Sequence, residues 1–264
     1  MPPAPRHDLA PDPALSRAEM ESLQDEIAEA AVFEDALDIE PDHFDDPLAA
    51  SAHCDDQPVV AGVDQSFLLE DERAVSAVVA MRAAGDGWKV LERVHAVTPL
   101  EIPYIPGLLS FREGGAILEA VETLRVEPDL YLFDGSGRIH FRQAGIATHV
   151  GVVLDRPSVG VAKSLLCGTP AGETDGLEAG ERVAIEANER VDAPGGTLLG
   201  YAVQTKQYDS PNRYVNPLYV SPGHRVGPET AADVVLALST GYKLPEPIRL
   251  ADAYADEAKT ESVE

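Results

Sequence analysis

Cysteine is almost absent from this 264-residue chain, which holds only Cys54 and Cys167. Two thiols cannot build a disulfide framework, and a reducing compartment is the simplest setting. Aromatic residues make up only 6%, and no run of about 18 apolar residues exists, so a transmembrane helix is excluded. The start, MPPAPRHDLAPDP, lacks the basic-then-apolar order of a secretion signal, and a cytoplasmic location is expected. Positive charge is scarce too. Lys and Arg number 20 against 46 Asp and Glu, a formal net charge of −26. The lysines are Lys89, Lys163, Lys206, Lys243 and Lys259 alone. Taken by itself this balance argues against a nucleic-acid binder, which normally carries a basic footprint. A halophilic surface, working where salt screens repulsion within a few ångström, accounts for both the acid and the shortage of lysine. An ordinary acidic protein is the plainer alternative.

Hydrophobic residues make up 44%, enough for one large core. Ser16 and Glu19 have capping-box spacing ahead of a helix in ALSRAEMESLQDEIAEAAV. Residues 33–57 crowd carboxylates together without a single Lys or Arg, which reads as a solvated loop. His43, His53 and Cys54 lie there without zinc-like spacing, so no metal site is expected. From Pro58 the pattern turns to strands: VVAGVDQSF, AVSAVVAMR and WKVLERVHAVT suggest an antiparallel meander. Ile117, Val121 and Leu124 have helical spacing between Gly114 and Arg125, with Pro128 as the stop. LYLFDG then reads as a buried strand. A helix around GIATHVGVVLD, a strand in SVGVAKS, further strands near RVAIEA, LLGYAVQT and PLYVS, and a helix over 230–240 follow. Three antiparallel strands, a helix and a buried strand form the order of a ribonuclease H-like α/β fold, a mixed β-sheet flanked by helices. The expected divisions are a leader and helix over 1–32, an acidic insertion over 33–57, the main domain over 58–253 and an acidic tail over 254–264.

Asp64 follows the apolar run VVAGV, and Asp134 follows LYLF. A carboxylate at the end of a buried strand is costly unless compensated. If the two strands are neighbours, a divalent cation between the carboxylates removes their repulsion, and hard oxygen ligands suit magnesium or manganese. For either Asp alone, ordinary turn chemistry is the competing explanation. PYIPGLLSFRE places Pro103 and Pro106 around Tyr104 and Ile105. Proline stiffens such a loop, and a stiff loop carrying a ring could separate stacked bases; core packing by Tyr104 is the bland option. Arg112 and Glu113 end that run, offering a guanidinium for phosphate and a third carboxylate. DGSGRIHFRQAGIATHVG adds His140 and His149, with glycines that allow close backbone approach to a ligand. Lys163 follows SVGVA, and His224 ends YVSPGH. A lone histidine is more often structural than catalytic.

Together these segments resemble the endonuclease V family. VAGVDQSF, PYIPGLLSFRE, LYLFDGSGRIHFRQAGIATHVG, VGVAKSLLCG, VSPGHRVGPETA and GYKLPEPIRLAD occur in the family's order and cover most of residues 59–252. The resemblance implies hydrolysis of the second phosphodiester 3′ to deoxyinosine, leaving 3′-hydroxyl and 5′-phosphate ends. It implies a Mg2+ cofactor, with Mn2+ able to substitute. Asp64, Glu113 and Asp134 match the family's acidic metal ligands, His224 a histidine beside that metal, and Lys163 a lysine near the substrate backbone. Tyr104 matches the strand-separating wedge, within Pro103, Tyr104, Ile105 and Pro106. His140 lies where the family approaches the flipped base, and Gly107, Leu109, Gly145 and Ile146 are pocket candidates. Arg112 and Arg142 are the arginines expected near phosphate. Phe141 stands where the family often has Pro, and the 33–57 insertion lies outside the usual pattern. The expected partner is inosine-containing DNA, with inosine-containing RNA as the alternative and a non-catalytic binder of damaged DNA as the different class. A monomer is expected, and no protein partner can be named.

Overall fold

The computed structural model describes residues 6–37, 39, 57–68, 72–84, 87–208 and 214–262. His43, His53 and Cys54 lie outside the described residues. Within them a short 3-10 turn, His7–Leu9, precedes α1 (Arg17–Ala30). The capping box forms as read: the Glu19 amide donates to Ser16 Oγ at 3.3 Å, and the Ser16 amide to Glu19 Oε2 at 2.8 Å. The remaining elements are β1 (Val59–Leu68), β2 (Arg73–Ala84), β3 (Gly87–Pro99), α2 (Leu109–Glu122), β4 (Leu130–Asp134), α3 (Ile146–Leu154), β5 (Ser158–Ala162), β6 (Thr169–Pro170), β7 (Arg182–Glu186), β8 (Leu198–Val203), β9 (Leu218–His224), α4 (Pro228–Ala237) and α5 (Glu246–Glu261).

The strands form one sheet in the order β3-β2-β1-β4-β5-β9-β8-β7-β6. β1, β2 and β3 are the expected antiparallel meander, while β1–β4 and β4–β5 are parallel. This is the ribonuclease H-like arrangement. Side-chain alternation sends Val60, Leu132, Val159 and Val161 to one face, where they pack with Val234, Val235 and Ile248 of α4 and α5. Val63, Tyr131 and Phe133 pack on the other face against Ile117, Ala120, Ile146 and Val150 of α2 and α3. Both faces are covered, which explains the continuous apolar runs in β4 and β5.

Four sequence expectations change. The loop around 103–113 ends early, because α2 begins at Leu109 and carries Arg112 and Glu113 on its first turns. That helix ends at Glu122, well before Pro128. The acidic segment is anchored at its start: Asp35 accepts from the Gly227 amide at 2.7 Å and from Thr230 Oγ1 at 2.8 Å, capping α4 from a distance. Leu37 and Ile39 join the core beneath. Residues 254–261 continue α5 instead of trailing as a tail, with Ala255 and Ala258 buried. Pro247 in the first turn of α5 opens that helix, since a missing amide costs nothing there.

Candidate active site

Parallel pairing sets Val63 beside Phe133, so Asp64 and Asp134 emerge side by side from neighbouring strands. By alternation both lie on the face that α5 covers. Asp64 is inside β1, which runs on to Leu68, and not at its end as expected. Lys163 follows β5, and its Nζ donates to Asp134 Oδ2 at 2.6 Å. Glu113 reaches the same region from α2. Asp64 and Glu113 are buried, at 6% and 4% exposure. Burial, the Asp134 charge and a carboxyl-to-carboxyl contact with Asp252 push Asp64 up to about 8. Burial, with a smaller push from Asp134, raises Glu113 to about 7. Burial works against the Lys163 ammonium, but Asp134 outweighs it and holds that group above its ordinary range.

Asp252, on α5, is the residue that sequence reasoning missed. It sits in GYKLPEPIRLAD, but it lies mid-helix and carries no strand-end signature. Four carboxylates with one ammonium among them hold a surplus of negative charge that a hard divalent cation would neutralise. Among the described residues, no three acidic, histidine or cysteine side chains stand in a finished ligand cluster, and Asp134 is engaged by Lys163. The donor set, all oxygen and partly desolvated, fits Mg2+ or Mn2+.

His224 does not belong here. β9 runs antiparallel to β5 and pairs His224 with Ser158, at the end of β5 remote from Lys163. Its Nδ1 accepts from the Val32 amide at 3.2 Å, and its Nε2 donates to Asp155 Oδ1 at 3.1 Å. His149 is a core residue, donating to the Leu9 carbonyl at 2.9 Å and edge-on to Phe111.

A cavity of about 150 Å³ opens on the α2–α3 side, lined by Tyr104, Gly107, Leu109, His140, Gly145 and Ile146, with Ser110, Ser136, Ala162 and Ser164 among the others. This volume suits one small planar group, being below the few hundred Å³ of a drug-sized pocket. The four pocket candidates Gly107, Leu109, Gly145 and Ile146 therefore meet, with His140 and the wedge residue Tyr104 beside them. Gly107 anchors the wall: its carbonyl accepts from Gln24 Nε2 at 2.6 Å and from His140 Nε2 at 3.0 Å. His140 Nδ1 accepts from the Arg142 amide, so the ring is neutral with its proton on Nε2. Burial holds it down, at about 4. Gly107 has φ +85°, and a Cβ there would meet the Phe141 ring at 2.9 Å. Phe141, the departure from the family pattern, thus supports the pocket floor. Ser110 Oγ is buried and has no hydrogen-bond partner, leaving a polar atom for a ligand.

Tyr104 is 64% exposed, which rules out core packing. Pro103 and Pro106 are exposed beside it, while Ile105 packs with Met20, Leu108 and Phe111 as the loop's root. The two arginines are otherwise engaged. Arg112 donates to the Ile102 carbonyl at 3.1 Å and lies 5.5 Å over the Phe67 ring, so it braces the loop. Arg142 pairs with Glu21 at 3.0 Å and Asp25 at 3.5 Å, fastening α1.

The Endonuclease V family profile matches residues 44–253. The Endonuclease V of Haloarcula marismortui is 56% identical over 267 residues, covering 96% of both chains. Its haloarchaeal source fits the halophilic composition. The catalytic domain of human Endonuclease V is 30% identical with a TM-score of 0.76, covering 93% of this chain and 96% of that one. The Endonuclease V of Ciona intestinalis is 27% identical with a TM-score of 0.69, covering 94% and 98%. That structure holds a 24mer DNA containing an inosine followed by a ribo-adenosine.

Proposed function

Because this chain belongs to the endonuclease V family, we propose that it is a repair endonuclease that nicks DNA at deoxyinosine. It is a hydrolase of phosphodiester bonds. The observation that carries the reading is the side-by-side emergence of Asp64 and Asp134 next to a base-sized cavity. A deaminated base, mispaired and cheap to extrude, leaves the stack and enters that cavity. Tyr104 takes the gap it leaves, and Ser110 Oγ with the local backbone reads its edge. Asp64, Asp134, Glu113 and Asp252 would hold divalent cations, Mg2+ by preference and Mn2+ in its place. Such ions supply an activated water and neutralise the departing oxygen. Lys163 keeps Asp134 oriented and sets a positive charge beside the scissile phosphate. Water adds to phosphorus and the bond to the 3′ oxygen breaks, leaving 3′-hydroxyl and 5′-phosphate ends. The cut falls at the second phosphodiester on the 3′ side, since pocket and carboxylates serve different nucleotides. A cytoplasmic location belongs to this reading; no described helix is long and apolar enough to cross a membrane.

The test is a labelled duplex with a single inosine. Asp134→Ala, or chelator added to the unaltered protein, is expected to abolish nicking while the fold persists. Near-normal turnover in either case overturns the mechanism. A second reading, cleavage of inosine-containing RNA, is favoured by the ribo-adenosine that follows the inosine in the DNA of the Ciona complex. Matched DNA and RNA oligonucleotides decide between the two.

A further inference from the structure

Three of the five lysines, Lys163, Lys206 and Lys243, gather at one place, and Arg249 joins them. Lys206, in the loop after β8, donates to the Gly241 carbonyl at 2.6 Å. Its Nζ lies 5.3 Å from the Tyr208 ring centre and 5.8 Å from that of Tyr242. Arg249, on α5, lies 4.6 Å over the same Tyr242 ring and chelates Glu246 through two bonds of 2.6 Å. Thr205 Oγ1 fixes the Lys243 carbonyl at 2.6 Å. Burial, and then the charge of Lys163 nearby, hold the Lys243 ammonium below its ordinary range. Tyr242 remains 53% exposed. The Tyr208 and Tyr242 rings brace Lys206, and Tyr242 braces Arg249, by cation–π contact, which fixes where these cations stand.

Such an array suits a polyanion, and on a chain of net charge −26 its position needs a reason. The base cavity lies on the α2–α3 side of the sheet, whereas Lys206, Lys243 and Arg249 lie on the α4–α5 side. Asp64 and Asp134 emerge on that α5-covered side next to the cavity's Gly135 and Ala162 wall, with Lys163 bound to Asp134. We propose that Lys206, braced by Tyr242, and Lys243 bind the backbone phosphates of the cleaved strand on the 3′ side of the nick. The direction rests on the function proposed above: with the base in the cavity and the cut 3′ to it, the strand beyond the carboxylates is the 3′ flank.

The test measures binding of single-stranded inosine oligonucleotides across a potassium chloride series, with chelator present. One oligonucleotide has long flanks, one is trimmed on the 3′ side to the nick, and one is trimmed on the 5′ side. Each phosphate contact on a single strand contributes about 0.7 to the slope of log affinity against log salt. Lys206→Gln with Lys243→Gln should therefore reduce that slope by roughly 1.4 on the long and 5′-trimmed strands. On the 3′-trimmed strand the slopes of variant and unaltered protein should coincide. Lys206→Gln keeps a donor for the Gly241 carbonyl, and the thermal midpoint checks that the loop is intact. Tyr242→Phe should behave as the unaltered protein, and Tyr242→Ala should weaken binding of the 3′ flank. An unchanged slope on the long strand overturns the proposal, as does a change that survives 3′ trimming or vanishes on 5′ trimming. Failure of the unaltered protein to nick inosine in magnesium overturns the functional reading instead.

Discussion

Replacing Asp64 with Asn should make the metal-free protein more stable while abolishing its activity. Asp64 is buried, and its carboxyl rises from an ordinary 3.8 to about 8. Between those values the unfolded chain has released a proton that the folded one retains. Folding is therefore unpenalised below about pH 4, and stability drains away as pH climbs towards 8. A shift near four units, at about 1.4 kcal/mol each, sets the full cost at roughly 6 kcal/mol. The amide still loses water on burial, at roughly 1–3 kcal/mol, which leaves a gain of about 3–5 kcal/mol. For a chain of this size that is roughly 6–20 °C in the thermal midpoint. The assay is thermal unfolding in chelator at constant high salt, at pH 5 and pH 8. The midpoint of Asp64→Asn should exceed that of the unaltered protein by more at pH 8 than at pH 5. Added Mg2+ should then close much of the gap by stabilising the unaltered protein alone. Equal midpoints at pH 8 would refute the picture of a carboxylate held at a cost until a cation arrives.

Tyr104→Ala, at an exposed site, should leave the midpoint almost unchanged. It should still reduce discrimination between inosine-containing and undamaged duplex, because lost stacking is worth roughly 1–3 kcal/mol; unfolding would restore the packing explanation. His224→Ala should lower stability by roughly 2–3 kcal/mol, the cost of a broken buried hydrogen-bond pair, yet nick at a normal rate. A collapse of kcat in a folded His224→Ala protein would return that residue to the chemistry. Nicking rate and thermal midpoint should both rise from dilute buffer towards molar potassium chloride, where an ordinary DNA-binding protein loses roughly a thousandfold in affinity over a few-fold change in salt. Maximal activity in dilute buffer would demand another explanation for the acidic composition.

The parts of the site that were legible in the sequence share one property: each is set by local pattern. Asp64 and Asp134 close apolar runs, and two such runs in a parallel pair must deliver their carboxylates together. Gly107, His140, Gly145 and Ile146 lie in glycine-rich turns whose close approach is written locally. His224 failed because a strand end has two directions, and the antiparallel pairing of β9 with β5 carries it to the far edge. Arg112 and Arg142 looked free because their partners, the Ile102 carbonyl, Glu21 and Asp25, belong to segments folded against them. Asp252 was hidden for a related reason: only the docking of α5 across β1 turns a residue in the middle of an acidic helix into a neighbour of Asp64. The capping of α4 by Asp35 likewise depends on chain that returns from nearly two hundred residues away.

The charge paradox resolves through distance. A net charge of −26 repels DNA only as far as the solution allows, and at about 1 M salt the screening length is roughly 3 Å. Under that condition the overall field hardly matters, and only groups in contact with phosphate count. Many arginines are then better used internally: Arg125 with Glu92, Arg182 with Asp233 and Arg225 with Asp155 all tie separate segments together. A protein that cannot attract its substrate from afar must hold a few cations where the strand will touch them. Lys163, Lys206 and Lys243 stand there, beside the carboxylates that a metal would neutralise. The remaining recognition, a fitted cavity and an exposed ring on a proline-stiffened loop, involves no charge for salt to screen.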